Sequence, residues 1–296
     1  MDAQQEVVVR TVSLSRAVST VADRQKLSPI ATQAVGEALV CAVLLGGGLK
    51  DEGEQLQLMV RGDGPLGSII AIADRQGICR GRVSHGAPSP PPSSVAKGIG
   101  EGLLHVVRNN PSRGGRPYNA SVPLPAGGSI AAALEHYMVA SEQRPALFAA
   151  ACTVPLDAAA SPPPLLRAQG YLVEFLPGAS DATRAALAAA HAMLAAQLTS
   201  TPVSAADAAA LLLKEGGGGG ATLLSRASPA FRCTCSHERS AGAVRMLGTE
   251  ELRSAVAEAR NLEVRCEFCG AVYAITPREL EAMLEPGGGG GGSGAR

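Results

Sequence analysis

The stretch FRCTCSHERS, residues 231–240, sets Cys233 and Cys235 one residue apart, and RCEFCG sets Cys266 and Cys269 two apart. Four thiolates are enough to close a tetrahedral zinc site with sulfur ligands alone. Gly270 directly follows Cys269, where a zinc knuckle needs a residue tolerant of positive φ so that backbone N–H groups can reach the ligand sulfurs. His237, two residues after Cys235, is a spare donor beside a complete set of four and is read as outside the ligand set.

Three uses of these thiols compete. A purely structural zinc ribbon would display a binding surface, for instance to nucleic acid. From Arg232 to Glu285, however, there are seven Arg, no Lys and nine Glu, a mildly acidic balance that argues against phosphate binding. A thiol–disulfide oxidoreductase would open a helix on its C-x-x-C after a strand, whereas Cys269 is followed by Gly270 and a strand-like run. In the third use, oxidation pairs the thiols, the metal loses its ligands and a metal-dependent module unfolds. The C-x-C spacing weighs toward this sensor, because joining near-adjacent cysteines closes a small strained ring that is comparatively easy to reduce again.

The elements around the thiols are short. The thirty residues between the two pairs carry two helical stretches, SHERSAGAVRML and TEELRSAVAEAR. The second places Leu252, Ala255, Val256 and Ala259 on one face, with Thr249 as N-cap. A strand, AVYAI, follows the knuckle. The last helix opens on TPRE, where Thr276 caps, Pro277 takes the first turn and Glu279 completes a capping box. Residues 231–285 have too little core to stand alone, so the metal is expected to supply folding energy.

Upstream the chain reads as scaffold. Ser28 as N-cap and Pro29 at the first helical position begin a nearly all-apolar helix that must lie deep in the fold. Its apolar run, Ala38 to Leu49, is about half of what spans a bilayer, so it reads as a core helix and no membrane is expected. Residues 55–83 alternate apolar and polar between turns at 62–67 and 74–77, which predicts an antiparallel meander. The first of those turns, GDGPLG, matches G-x-G-x-x-G with Gly62, Gly64 and Gly67. A β-branched run follows instead of the helix that a dinucleotide site requires. Strand-like GLLHVVR and YNASVPL, a helical SIAAALEHYMVASEQ, and strand-like ALFAAACTV and GYLVEFL complete an α+β pattern.

The expected architecture is therefore α+β. It comprises an N-terminal antiparallel-sheet core domain with helices (1–180), a helical linker (181–230), a small C-terminal four-cysteine zinc domain (231–285) and a disordered Gly-rich tail (286–296). The linker is rich in Ala and carries the run Gly216 to Gly220, so weak docking is expected. Cys41, Cys79 and Cys152 sit alone in apolar surroundings and read as inert core residues. His85, His105, His136 and His191 lack ligand spacing.

In 296 residues, 26 Lys plus Arg balance 26 Asp plus Glu, which removes the electrostatic pull on nucleic acid that a basic chain would have. Seven cysteines without a secretory signal point to a reducing compartment. The cytoplasm is expected, or the plastid stroma if a transit peptide is absent from this chain.

FRCTCSHERS together with VRCEFCGAVYAI resembles the C-terminal zinc domain of the heat shock protein 33 family, the redox-regulated 33 kDa chaperonins. LKDEGEQLQLMVRGDGPLGSIIAIAD and LEHYMVASEQRPA are similar to core segments of the same family, and the likeness runs from about residue 5 to 285. The resemblance implies a molecular chaperone rather than an enzyme: an ATP-independent holdase, inactive while reduced and zinc-bound. Under oxidative stress it would form disulfides, release zinc, unfold its linker, dimerise and hold unfolded client proteins. Carried over by position, Cys233, Cys235, Cys266 and Cys269 would bind one Zn2+, and the disulfides would join Cys233 with Cys235 and Cys266 with Cys269. Residues 181–230 would be the switch. The two glycine runs depart from the family pattern, which leaves the opening threshold and client affinity of this chain open.

Overall fold

A computed structural model describes residues 6–110, 117–127, 129–154, 167–200, 204–215 and 222–285. The Gly216 to Gly220 run and the 286–296 tail lie outside the described residues. By internal packing the chain divides into two units, Met1–Arg232 and Cys233–Arg296.

In the first unit, β1 (Val7–Ser13) leads into α1 (Ser15–Gln25) and α2 (Pro29–Gly46). The start of α2 follows the sequence rule: Ser28 Oγ accepts the Ala31 N–H and Pro29 occupies the first turn. Its length and apolarity alone would let it cross a membrane, yet 83% of it is buried inside the fold. The meander follows as β2 (Gln55–Gly62), β3 (Ser68–Asp74) and β4 (Ile78–Val83), paired antiparallel with Met59 opposite Ile70 and Ile70 opposite Arg82. After α3 (Val95–Ile99) come β5 (Gly102–Asn109) and β6 (Tyr118–Pro123). The resulting six-stranded sheet has the order β6-β5-β2-β3-β4-β9, where the short β9 (Ala230–Phe231) adds parallel to β4.

Gly62, Gly64 and Gly67 have a steric purpose. A Cβ on Gly62 would stand 1.9 Å from the Ile99 carbonyl oxygen, one on Gly64 would stand 2.4 Å from that of Gly98, and Gly67 has φ +65°. These glycines let the β2–β3 turn close against the segment before β5, and strand β3 follows them, as the sequence argument requires.

A second sheet is built from β1, β7 (Ala146–Thr153) and β8 (Arg167–Phe175), preceded by α4 (Ile130–Ala140). Its order is β1-β8-β7, fully antiparallel. Central β8 is buried along almost its whole length because both faces are covered. Ala168 and Leu172 face the main core with α2, while Tyr171, Val173 and Phe175 face α5 (Asp181–Ser200) and α6 (Ala205–Glu215). Buried Glu174 accepts from Arg10 and, at 2.6 Å, from Arg144, which ties β1 and β8 to the segment that leads into β7.

Helices α5 and α6 dock through few side chains. Among the described residues, Thr183, Leu187, Leu194 and Leu198 are the buried positions of α5, a narrow stripe at helical spacing, and α6 adds Ala208 and Leu212. Most alanines of α5 are exposed, so leucines carry the contact.

The second unit comprises α7 (His237–Val244), a 3-10 turn at Arg245–Leu247, α8 (Thr249–Ala257), the hairpin β10 (Leu262–Arg265) with β11 (Val272–Ile275), and α9 (Pro277–Leu284). Its core is small: Val244, Leu252, Ala255, Leu262, Ile275 and Leu280. The capping box of α9 is present as expected, with Thr276 and Glu279 each accepting from the other's backbone N–H. Two local expectations are corrected. Gly248 (φ 96°), not Thr249, occupies the N-cap of α8, because the chain needs a positive φ to turn out of the 3-10 segment. Ala259 is exposed at φ 52°, past the helix end, so it does not extend the apolar stripe of Leu252, Ala255 and Val256.

Candidate metal centre

Cys233 and Cys235 lie on the extended approach to α7. Ser236 caps that helix by accepting the Arg239 N–H, and Arg239 Nη1 donates back to the Thr234 carbonyl (2.7 Å) and hydroxyl (2.8 Å). The C-x-C backbone is thereby held from its own helix. Cys266 and Cys269 occupy the turn of the β10–β11 hairpin, closed by Gly270 N–H to Cys266 O and Cys266 N–H to Ala271 O, both 2.8 Å. Gly270 has φ 73°, as the knuckle reading requires.

The four sulfurs lie within 4.8 Å of one another. Cys233 and Cys266 sulfurs are 3.6 Å apart and those of Cys235 and Cys269 3.4 Å apart, with all four thiols free. Four thiolates about 2.3 Å from one zinc stand about 3.8 Å from each other, so the donor set and its spacing fit a tetrahedral zinc site. A disulfide would require about 2.05 Å. Cys269 is buried and the other three are half-buried, within reach of a small solute. Backbone N–H groups of Cys235 and Ala271 are directed at the Cys233 and Cys269 sulfurs respectively, the support expected around a metal-binding thiolate.

The thiols differ electrostatically. Burial and neighbouring thiols push Cys233 up to about 12, and burial raises Cys269. Cys235 is drawn down to about 7, chiefly by the hydroxyl of Tyr273 at 3.1 Å. Tyr273 itself is pushed up to about 12 by that sulfur. Sequence reasoning missed Tyr273. The available signal was strand alternation in β11, which places it opposite Val264, inward of the exposed Val272 and Ala274. His237 stands outside the thiol cluster: its ring meets Tyr273 edge-on at 6.3 Å, and its Nε2 lies 3.3 Å from the Ala274 carbonyl and 3.4 Å from Glu279.

Among the described residues these four cysteines form the one group with metal-ligand geometry. Cys41, Cys79 and Cys152 are buried in the main core, and burial pushes all three thiols up, Cys79 to about 12. His85 and His105 meet the Pro65 carbonyl and the Ser121 hydroxyl, and His136 is exposed. His191 lies at a core edge, its Nδ1 3.0 Å from the Tyr171 hydroxyl and its Nε2 3.5 Å from Glu135.

Residues 1–276 match the family model described as Hsp33 protein. The 33 kDa chaperonin of Symbiobacterium thermophilum is 36% identical over 269 residues, spanning 85% of this chain and 84% of that protein. That of Synechococcus elongatus is 32% identical over 265 residues, spanning 87% and 86%. Among solved structures, the 33 kDa chaperonin (heat shock protein 33 homolog) of Thermotoga maritima superposes with a TM-score of 0.79 at 25% identity, covering 95% of this chain and 94% of that one.

Proposed function

The chain belongs to the Hsp33 family, and we propose on that premise that this chaperone is a holdase switched on by oxidation of Cys233, Cys235, Cys266 and Cys269. The observation that carries the reading is the gathering of four thiols at zinc-ligand spacing in a unit with only a small apolar core. In the reduced chain these residues would hold one Zn2+, which supplies folding energy to residues 233–285. Oxidation converts sulfur ligands into disulfides, Cys233 with Cys235 and Cys266 with Cys269, and neither disulfide can hold the metal as a thiolate does.

The segment 181–230 would be the switch. Docked, α5 and α6 cover a sheet face formed by Val7, Ala149, Tyr171, Val173 and Phe175. Undocked, they would uncover that apolar face and their own leucines, a surface suited to unfolding clients. Leu223 and Leu224 already stand exposed in the same segment, which offsets the poverty of its alanines. The oxidised form is read as a homodimer acting in a reducing compartment, the cytoplasm or the plastid stroma. It binds unfolded proteins without catalysing a reaction on them.

The test treats the reduced, zinc-loaded protein with peroxide at raised temperature, following zinc release beside suppression of client aggregation. Zinc should leave as holdase activity appears, and a thiol reductant with zinc should reverse both. Activity that ignores the metal would leave the cysteines as a structural clamp.

A further inference from the structure

The Cys235 sulfur is met by a side-chain hydroxyl: Tyr273 reaches it at 3.1 Å. That hydroxyl is held by more than its own bond. The Tyr273 ring meets His237 edge-on at 6.3 Å, and His237 is in turn placed by the Ala274 carbonyl and by Glu279, the residue whose carboxylate closes the capping box of α9. A chain of contacts thus runs from the start of the last helix, through the first turn of α7, to one sulfur. Tyr273 and Cys235 are both half-buried, so water and small oxidants reach the pair.

We propose that Tyr273 is a positioning residue whose hydroxyl draws charge from the Cys235 sulfur, slowing the attack of that thiolate on peroxide, and so raises the oxidant threshold of the centre. The inference rests on the metal-switch reading above. A hydrogen bond to a ligating sulfur takes up part of the charge that the sulfur would give to a metal or an electrophile. In the oxidation, a sulfur attacks one peroxide oxygen, the S–O bond forming as the O–O bond breaks and hydroxide leaves. A second thiolate then displaces the hydroxyl, again as hydroxide, and the S–S bond forms. The cysteine pair loses two electrons, and the two hydroxides take up two protons to become water. Tyr273 acts on the first of these steps, where sulfur nucleophilicity sets the rate.

The experiment compares the full chain with Tyr273→Phe, which keeps the ring and removes only the hydroxyl. With cobalt(II) in place of zinc, an electron-richer Cys235 should move the sulfur-to-metal charge-transfer band to lower energy, a signature that lost packing alone would not produce. Peroxide should release metal from the variant roughly three- to tenfold faster, from the strength of a hydrogen bond to a charged group and the partial dependence of thiolate reactivity on basicity. A sulfenic-acid trap should place a larger share of the first label on Cys235. Superposable cobalt spectra with unchanged label distribution overturn the role of Tyr273 and leave the metal switch standing. A parent protein that binds no cobalt overturns both.

Discussion

Cys266 anchors the knuckle: its backbone carries both hydrogen bonds that close the turn, and its sulfur meets that of Cys233 at 3.6 Å. Replacing it with Ser removes one of four thiolates while keeping the turn. Zinc affinity of Cys266→Ser should fall by at least about a hundredfold, more than the loss of a mere supporting contact, and protease cleavage between residues 181 and 230 should rise without oxidant. Zinc content and protease resistance equal to the parent's would mean that the sulfur is not a ligand. The hydroxyl of Tyr273 belongs to the same scale, a single atom set against the Cys235 sulfur.

Helix α5 is held along a narrow stripe, and His191 lies on its margin between two polar groups. Its geometry suits a neutral imidazole: Nδ1 accepts from the Tyr171 hydroxyl and Nε2–H donates toward Glu135, which also accepts the Phe148 N–H at 2.7 Å. Burial lowers the His191 pKa below its ordinary 6.5 and raises that of Glu135. A base depressed in the docked state loses docking stability as pH falls below its free value, here about 6.5. The raised carboxyl works in the opposite direction, adding stability as pH falls. Of the two groups, His191 is the one carried by α5 itself, whereas Glu135 belongs to α4, so undocking of α5 acts first on the histidine. Proteolysis of α5 in the reduced protein should therefore be faster at about pH 6 than at about pH 7.5, and His191→Gln should flatten the profile. Equal cleavage of the parent at both pH values would remove His191 from any part in docking.

For the whole molecule, equal numbers of acidic and basic residues leave apolar contact as the main force for holding clients. Client binding by the oxidised protein should change by no more than about threefold between low and physiological salt, whereas a phosphate-binding protein making several contacts would weaken by about a thousandfold. Titration of an unfolding client at two ionic strengths reads this directly, and a steep salt dependence would point to nucleic acid. The two sheets of the first unit show why apolar surface is at hand. Central β8 is apolar on both faces, so a face from which α5 and α6 withdraw is left with Tyr171, Val173 and Phe175.

The sequence by itself determined what local chemistry can settle: four thiols at knuckle spacing, the glycine of positive φ beside them, the Ser28 and Thr276 caps, the meander of β2 to β4 and the α+β class. The members of each thiol pair, the caps and the individual strands lie within a few positions of one another, where propensity and spacing act locally, and the α+β class follows from the order of such segments. Tertiary structure decided the contacts whose partners are distant in sequence and follow no local period. Tyr273 meets Cys235 across 38 positions, and His191 meets Tyr171 across 20. The same holds for α5, where the alanine-rich composition suggests weak docking but only packing on β7 and β8 picks out Leu187, Leu194 and Leu198 as the residues that hold it. Even the cap of α8 falls to Gly248 rather than Thr249, because the positive φ of Gly248 is set by how the chain leaves the preceding turn, a geometry that no short window of sequence contains.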